Sequence, residues 1–162
     1  MGTAFIVRRA RRKKSLVLLE NGVLNPLLGE LKIIYRPEYP AQSSYRMDND
    51  TLYARQAATN ESSRTGYFGF DNAVSTKGYK YLHFEGECSS NYPAYQYLGI
   101  NSDNGSDFTA YGWFTSQQTQ VVTVPIAEYQ GEYYVLLGVY AYTGQASAVR
   151  ISRIWLDNSA EG

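Results

Sequence analysis

Alternation of apolar and polar side chains recurs along most of this chain, and it constrains the fold more than any other feature. In YKYLHFEGEC (79–88), one parity holds Leu82, Phe84, Gly86 and Cys88, and the other holds Tyr79, Tyr81, His83 and Glu85. Successive side chains of a β-strand point to opposite faces, so the first set is expected to be buried and the second to lie outside. The same period continues in YQYLGINS (95–102) and TQVVTVPI (119–126), and little helical periodicity is seen.

Two further stretches predict longer strands. GEYYVLLGVYAY (131–142) is apolar on both parities, which is typical of a central strand covered on both sides. AVRISRIWLD (148–157) changes phase between Ile151 and Ile154, which predicts a β-bulge near Ser152. With turn-rich loops between these segments, the sequence predicts an all-β fold: an antiparallel β-sandwich of about eight strands, jelly-roll-like.

The N-terminal part predicts a separate unit. In SLVLLENGVLNPLL (15–28), two apolar runs flank Asn21-Gly22, a pair that favours the type I′ turn of a β-hairpin. A strand is expected at 31–36, and Pro37 and Pro40 end it. We therefore expect an extended basic anchoring arm with a short hairpin at 1–36 and the sandwich domain at 37–162.

A basic block, RRARRKK (8–14), lies near the start of a chain with no net charge. Segment 1–36 has eight basic and two acidic residues, so it carries +6 and the remainder −6. We expect the arm to dock on a neighbouring protein by adding strands to a sheet edge. Contact with packaged DNA and a solvated tail are the alternatives. The expected assembly contacts are Phe5, Ile6, Val7, Arg8, Arg9, Arg11, Arg12, Lys13 and Lys14.

Several classes of function lose support from the composition. A single Cys excludes an intrachain disulfide, and one Cys with one His argues against a zinc site of the usual kind. No common catalytic motif is present, so an enzyme is not expected. Glu85 and Glu87, two apart on one strand, have a spacing that glycosidase carboxylates could use, but solvated acids of a strand face look the same. No membrane segment is expected.

Tyrosine is the most informative residue type, with sixteen in the chain. Tyr mixed with Ser, Gly and Asn is typical of recognition surfaces, because its ring is rigid and amphipathic. The candidate carbohydrate-binding residues are Tyr79, Tyr81, Tyr95 and Tyr97, if their strands are neighbours, together with Trp113 at a loop edge. The alternative is that these rings pack across strands or between subunits.

The body resembles a known family in the order of its segments: FGFDNAVSTKGYKYLHFEGEC (68–88), YQYLGINS, GEYYVLLGVYAY and AVRISRIWLD. It is similar to the galactose-binding-like jelly rolls of tail, fibre or decoration proteins in phages and prophages of Gram-positive bacteria. LVLLENGVLNPLLGEL (16–31) also resembles the opening of small phage structural proteins. Such sugar-binding jelly rolls usually hold a structural calcium, for which Asp48, Asp50 and Asp157 are the candidates; solvated turn acids are the alternative, and no other cofactor is expected.

These observations together predict a non-enzymatic phage virion protein of tail, fibre or capsid decoration. The arm would anchor it to other virion proteins, after assembly in the bacterial cytoplasm, and the sandwich would recognise host-surface carbohydrate. A homo-oligomer is expected, and nucleic acid is not expected as a partner. The alternatives are a free carbohydrate-binding module or remnant glycan-active enzyme, and a DNA-contacting capsid component.

Overall fold

The computed structural model describes residues 14–35 and 42–161, which form two antiparallel β-sheets packed face to face. The strands are β1 (Ser15–Glu20), β2 (Val23–Leu24), β3 (Leu31–Tyr35), β4 (Ser43–Met47), β5 (Leu52–Ala57), β6 (Arg64–Phe70), β7 (Val74–Ser75), β8 (Tyr81–Ser89), β9 (Tyr97–Asn101), β10 (Ala110–Trp113), β11 (Gln120–Pro125), β12 (Glu132–Ala141) and β13 (Ala146–Asp157). Short 3₁₀ turns occupy Pro26–Leu28 and Pro93–Tyr95. In the described part of the chain no helix is long and apolar enough to cross a membrane.

One sheet has seven strands and the other has six. The seven-stranded sheet runs β11-β8-β13-β1-β2, with β5 also paired to β13 and β4 paired to β5. The six-stranded sheet runs β10-β9-β12-β6-β3, with β7 also paired to β12. The predicted all-β sandwich is therefore confirmed, and β12 is a central strand as its apolar sequence indicated.

The core lies between the two sheets and follows the predicted parity. Leu82, Phe84 and Cys88 of β8 are buried, as are Leu98 and Ile100 of β9. The period-2 pattern therefore identified these core side chains correctly, whereas Tyr79 and His83, which have the other parity, are also buried.

Two local predictions about the backbone are also confirmed. Asn21 and Gly22 have φ values of 50° and 79°, the left-handed values that a tight β1–β2 hairpin requires. The pairing of β13 with β8 shifts register between Ile151 and Arg153, so the bulge lies at the predicted Ser152. The bulge also divides the other side of β13, where β5 pairs before it and β1 pairs after it.

The predicted boundary between residues 36 and 37 is wrong, because the strands before it are part of both sheets. β1 pairs with β13 in one sheet, and β3 pairs with β6 in the other. Leu18, Leu19 and Leu28 are fully buried in the shared core. The apolar runs of this segment are too short to form a core of their own, and they complete the core of the sandwich.

Most of the predicted assembly arm lies outside the described residues: Phe5, Ile6, Val7, Arg8, Arg9, Arg11, Arg12 and Lys13. Lys14 is described, and its ammonium group lies 4.6 Å from the centroid of the Tyr79 ring. The same group donates a hydrogen bond of 3.2 Å to the carbonyl oxygen of Lys77. Lys14 therefore contacts the sandwich of its own chain.

Candidate functional site

Aromatic side chains cover the outer face of the six-stranded sheet. Strands β10, β9, β12 and β6 are neighbours in that order, so ring-bearing positions far apart in sequence share one surface. Loops at the strand ends add further rings to the same side. We call this set the aromatic face; its members are Tyr67, Tyr92, Tyr95, Tyr97, Phe108, Tyr111, Trp113, Tyr140 and Tyr142.

Tyr111 and Trp113 of the edge strand β10 form one end of the aromatic face. Their ring centroids are 6.0 Å apart, and the Tyr111 centroid lies 5.0 Å from that of Tyr97 on β9. Trp113 is directly opposite Tyr97, and Tyr111 is opposite Gly99. A Cβ atom at Gly99 would lie 2.9 Å from the Cβ of Tyr111, so only glycine permits this approach of the two strands.

Phe108 reaches the same face from the loop that follows β9. The buried Asn101 side chain donates to the carbonyl of Gly105 at 2.6 Å and accepts from the Asn104 backbone N–H at 3.1 Å. The Asn104 amide donates in turn to the carbonyl of Phe70, which ties the loop to β6. The Phe108 ring then covers Gly138 of β12, where an added Cβ would lie 3.3 Å from it. Amide side chains in a polar loop thus fix an aromatic ring on the sheet.

The other end of the aromatic face is a tyrosine stack, formed by Tyr92, Tyr95, Tyr140 and Tyr142. The Tyr92 ring lies between two nearly parallel neighbours: Tyr95 at 5.9 Å and 3°, and Tyr142 at 5.1 Å and 15°. Tyr140 meets both Tyr92 and Tyr95 edge-on at 84°. Offset-stacked and edge-on arrangements are the favourable ones for aromatic pairs.

Exposed rings lie at both ends of this face. The exposed fractions are 49% for Trp113, 47% for Tyr111, 47% for Tyr95 and 42% for Tyr142. Between them, Tyr97 is half-buried, and desolvation raises the pKa of its phenol, with smaller contributions from Tyr111 and Tyr95. The aromatic face therefore presents uncharged, rigid and partly desolvated rings to a ligand.

The structure brings together three of the five predicted carbohydrate-binding residues. Tyr95, Tyr97 and Trp113 lie on the aromatic face, whereas Tyr81 is on β8 in the opposite sheet. Tyr79 precedes β8 and is 93% buried in the core cluster, so its predicted outward position is wrong. β8 and β9 follow each other in sequence, but they lie in different sheets, and the expected four-tyrosine surface does not form.

Sequence reasoning missed the other six rings of the aromatic face. Tyr111 had a signal, because it is two residues from Trp113 and therefore shares its side of the strand. Tyr140 had a similar signal, because it lies in GEYYVLLGVYAY, a segment that predicts a strand. Tyr92 and Phe108 come from irregular segments without periodicity, and nothing in the sequence assigns them to a face.

His83 was expected on the surface, but it is fully buried. Its ring lies between Tyr81 and Trp155, with centroid distances of 6.0 and 4.9 Å. Its Nε2 is 2.7 Å from Asp157 Oδ1, and its Nδ1 is 2.8 Å from Thr123 Oγ1. These contacts give both nitrogens of the buried imidazole a hydrogen-bond partner, and they join the ends of β8, β11 and β13.

The three candidate calcium ligands are not brought together. Asp157 accepts hydrogen bonds from the Trp155 indole and the Ser159 backbone, in addition to its contact with His83. Asp48 forms ion pairs with two arginines, and these lower its pKa, the hydrogen bond from Arg46 contributing most. Asp50 lies near Asp48 in the β4–β5 loop. Within 14–35 and 42–161, no group of three His, Cys, Asp or Glu residues could hold a metal ion.

The paired carboxylates of β8 lie on the sheet opposite the aromatic face. Glu85 is directly across from Arg153 of β13, and Glu87 is across from Arg150. The ion pairs of these two arginines are with other carboxylates, Arg153 with Glu20 and Arg150 with Asp48, so the two acids lie on a strand face of mixed charge. Cys88, which follows Glu87, is buried, and desolvation raises the pKa of its thiol to about 11, so it is a poor nucleophile.

Comparison with known proteins gives likeness at the level of the fold. No protein-family model matches the chain, and no curated protein matches it. A mutant of a carbohydrate-binding module of family 29 is 7% identical, with a TM-score of 0.57, and the match covers 92% of this chain and 95% of that one. A family 29 module from Piromyces equi is 10% identical, with a TM-score of 0.56, and the match covers 91% and 92%.

A further structure in this group is a family 29 module mutant complexed with mannohexaose, which is 10% identical with a TM-score of 0.56 and covers 92% of this chain and 95% of that one. At such identities the likeness concerns backbone architecture rather than descent or ligand. The sandwich that the sequence resemblance implied is confirmed. The chain has a β-sandwich fold of the jelly-roll type, similar to that of the family 29 carbohydrate-binding modules.

Proposed function

We propose that this protein binds carbohydrate without catalysis and that Tyr97, Tyr111 and Trp113 make the main contacts. The observation that carries this proposal is the pair of exposed rings on β10, supported from below by Tyr97 and Phe108. A sugar ring has apolar C–H faces and polar hydroxyl edges. An aromatic ring of fixed orientation can cover such a face while the hydroxyls stay in water.

The kind of exposed surface favours a sugar over an apolar ligand. On the aromatic face, the large exposed side chains are Tyr95, Tyr111, Trp113 and Tyr142. The large exposed aliphatic side chains of the described residues, Val23, Leu27 and Val121, belong to other surfaces. Tyrosine and tryptophan combine apolar area with a hydrogen-bonding group, which suits a ligand of mixed polarity.

The fold neighbours support the same proposal. Solved structures of this architecture include family 29 module mutants complexed with mannohexaose and with cellulohexaose. These two oligosaccharides are therefore suitable first probes for this chain.

Calorimetric titration of the purified protein with mannohexaose, cellulohexaose and bacterial cell-wall glycans tests the proposal. Trp113→Ala or Tyr111→Ala is expected to weaken binding about tenfold, or about 1.4 kcal/mol, without changing the melting temperature. Tyr45→Ala is the matched control, because Tyr45 is 40% exposed but belongs to the opposite sheet. Unchanged binding in the β10 variants, or no binding of any glycan by the wild-type protein, would contradict the proposal.

The sequence resemblance extends this proposal to attachment within a phage virion, where the basic arm would bind neighbouring virion proteins, including further copies of this chain. The support is the dense charge of residues 8–14 beside an acidic body. Replacing Arg8, Arg9, Arg11 and Arg12 by Ser is expected to prevent incorporation into particles while glycan binding persists. Normal incorporation of this variant would contradict the arm's role and leave the carbohydrate proposal standing.

A further inference from the structure

The two outer rings of the tyrosine stack are partly exposed. Tyr140 contacts Tyr92 and Tyr95 edge-on, and Tyr92 is stacked on both Tyr95 and Tyr142. These two are the more exposed members, at 47% and 42%. Four rings whose only purpose was mutual packing would be expected to bury the terminal ones.

The segment that carries the stack is held by buried polar side chains. Gln96 is fully buried, and its amide joins the backbone of Tyr140 at both groups: Nε2 donates to the carbonyl at 2.9 Å, and Oε1 accepts from the N–H at 3.0 Å. Ser90 Oγ accepts hydrogen bonds from Gln96 Nε2, from the Tyr92 N–H and from the Ser147 hydroxyl. Since a buried polar group costs stability unless it is hydrogen-bonded, these contacts favour a single conformation of the loop in which every one of them is made.

The result of the network is a pre-organised surface. The loop from Ser90 to Gln96 is fixed to β12, and the Tyr140 hydroxyl donates to Ser63 Oγ at 3.1 Å, which fixes the ring that supports the stack from the side. Rings already held in their binding positions lose little conformational entropy when a ligand arrives.

The stack and the β10 rings are on the same face but at opposite ends of it. Tyr111 aligns across β9 with Leu136 of β12, and Trp113 aligns with Gly138, so Tyr142 lies six residues beyond the level of Tyr111 and four beyond that of Trp113. At about 3.3 Å per residue, Tyr142 is roughly 20 Å from Tyr111 and roughly 13 Å from Trp113 along the strands. Tyr95 is nearer, because it is two residues along the chain from Tyr97, the partner of Trp113. A single sugar at Tyr111 would not reach Tyr142.

We propose that the tyrosine stack is a second contact region for the glycan held at the β10 rings, so that the ligand is an extended oligosaccharide or polysaccharide bound along its length rather than a terminal sugar. This inference rests on the proposed function. It adds that Tyr95 and Tyr142 contact sugar units beyond those held at Tyr111 and Trp113.

Calorimetric titration with two length series, from mannobiose to mannohexaose and from cellobiose to cellohexaose, tests the inference with the full-length protein. For the series that binds, the wild-type affinity is expected to rise at least tenfold from the disaccharide to the hexasaccharide. Tyr142→Ala and Tyr95→Ala are expected to reduce this rise to threefold or less, whereas Trp113→Ala lowers the affinity at every length. Tyr45→Ala keeps the wild-type profile.

The outcomes separate the two proposals. Equal affinity for short and long oligosaccharides, or an undiminished rise in both stack variants, would overturn the inference while loss of binding in Trp113→Ala still supports the proposed function. If neither series binds, the same comparison is made with fragments of the cell-wall glycans, and no binding there overturns both. Self-association in sedimentation that Tyr142→Ala abolishes, without an effect on glycan affinity, would assign the stack to a protein interface and overturn the inference.

Discussion

Deletion of residues 1–36 is the sharpest test of how the sandwich is built. It removes Leu18, Leu19, Leu28 and Leu31, whose side chains are at most 8% exposed. Full burial of a leucine side chain stabilises a protein by about 1.5–3 kcal/mol, so the four together contribute roughly 6–12 kcal/mol. The free energy of unfolding of a whole domain is only about 5–15 kcal/mol. The truncated chain is therefore expected to lose its cooperative fold.

The deletion also uncovers hydrogen-bonding edges. β13 loses its partner over Arg153–Asp157, and β6 loses β3, so backbone groups of both sheets become unpaired. The measurement is urea denaturation followed by near-ultraviolet circular dichroism, which reports the packing of the Tyr and Trp rings.

Deletion of residues 1–13 is the matched control, because it keeps every described strand. Its denaturation midpoint is expected to equal that of the full chain. A 37–162 chain that unfolds cooperatively with the midpoint and slope of the full protein would refute the assignment of β1 and β3 to the shared core.

Three further predictions concern single residues. Gly99→Ala is expected to push β10 away from β9, which destabilises the protein by about 1–3 kcal/mol and weakens glycan binding; unchanged binding would show that β10 can shift freely. Asp157→Ala leaves the Trp155 indole and the His83 ring without their acceptor, so a loss of about 2–5 kcal/mol is expected in urea denaturation, and a loss under 1 kcal/mol would contradict the network. Burial in the folded protein raises the pKa of the Cys88 thiol from 9.0 to about 11. The contribution of this thiol to the free energy of unfolding is therefore fully present below pH 9 and is lost as the pH rises towards 11. Alkylation of Cys88 at pH 8 is accordingly expected to be slow until denaturant is added, and equal rates with and without denaturant would contradict its burial.

The burial pattern of β8, the turn at Asn21-Gly22 and the bulge at Ser152 depend only on local chain geometry, and the sequence was sufficient to predict them. The alternation in β8 identified Leu82 and Phe84 as buried, because a strand has two sides and water selects one of them for apolar groups. The Asn21-Gly22 turn and the bulge at Ser152 were predictable for a similar reason. Each is set by the conformational preferences or the phase of a few consecutive residues.

Which strands became neighbours depended on the tertiary structure. Parity says whether a side chain points inward, but not which sheet the strand enters, since pairing partners are distant in sequence. Tyr81 and Tyr97 both point outward, but β8 and β9 are in different sheets, so the two rings lie on opposite faces of the molecule. The apolar runs around Leu18 and Leu31 were likewise expected in a separate arm, because their partners, β13 and β6, follow much later in the chain.

The candidate site was only partly predictable for the same physical reason. Tyr97 was recognised as an outward aromatic residue from the alternation of its own strand, and Trp113 was recognised from its place at a loop edge. Phe108 and Tyr92 reach the aromatic face through loops whose course is set by the buried amides of Asn101 and Gln96, hydrogen-bonded to distant backbone groups. Such contacts leave no periodic trace, so the sequence determined the rings, and only the packing of the two sheets decided that they share one surface.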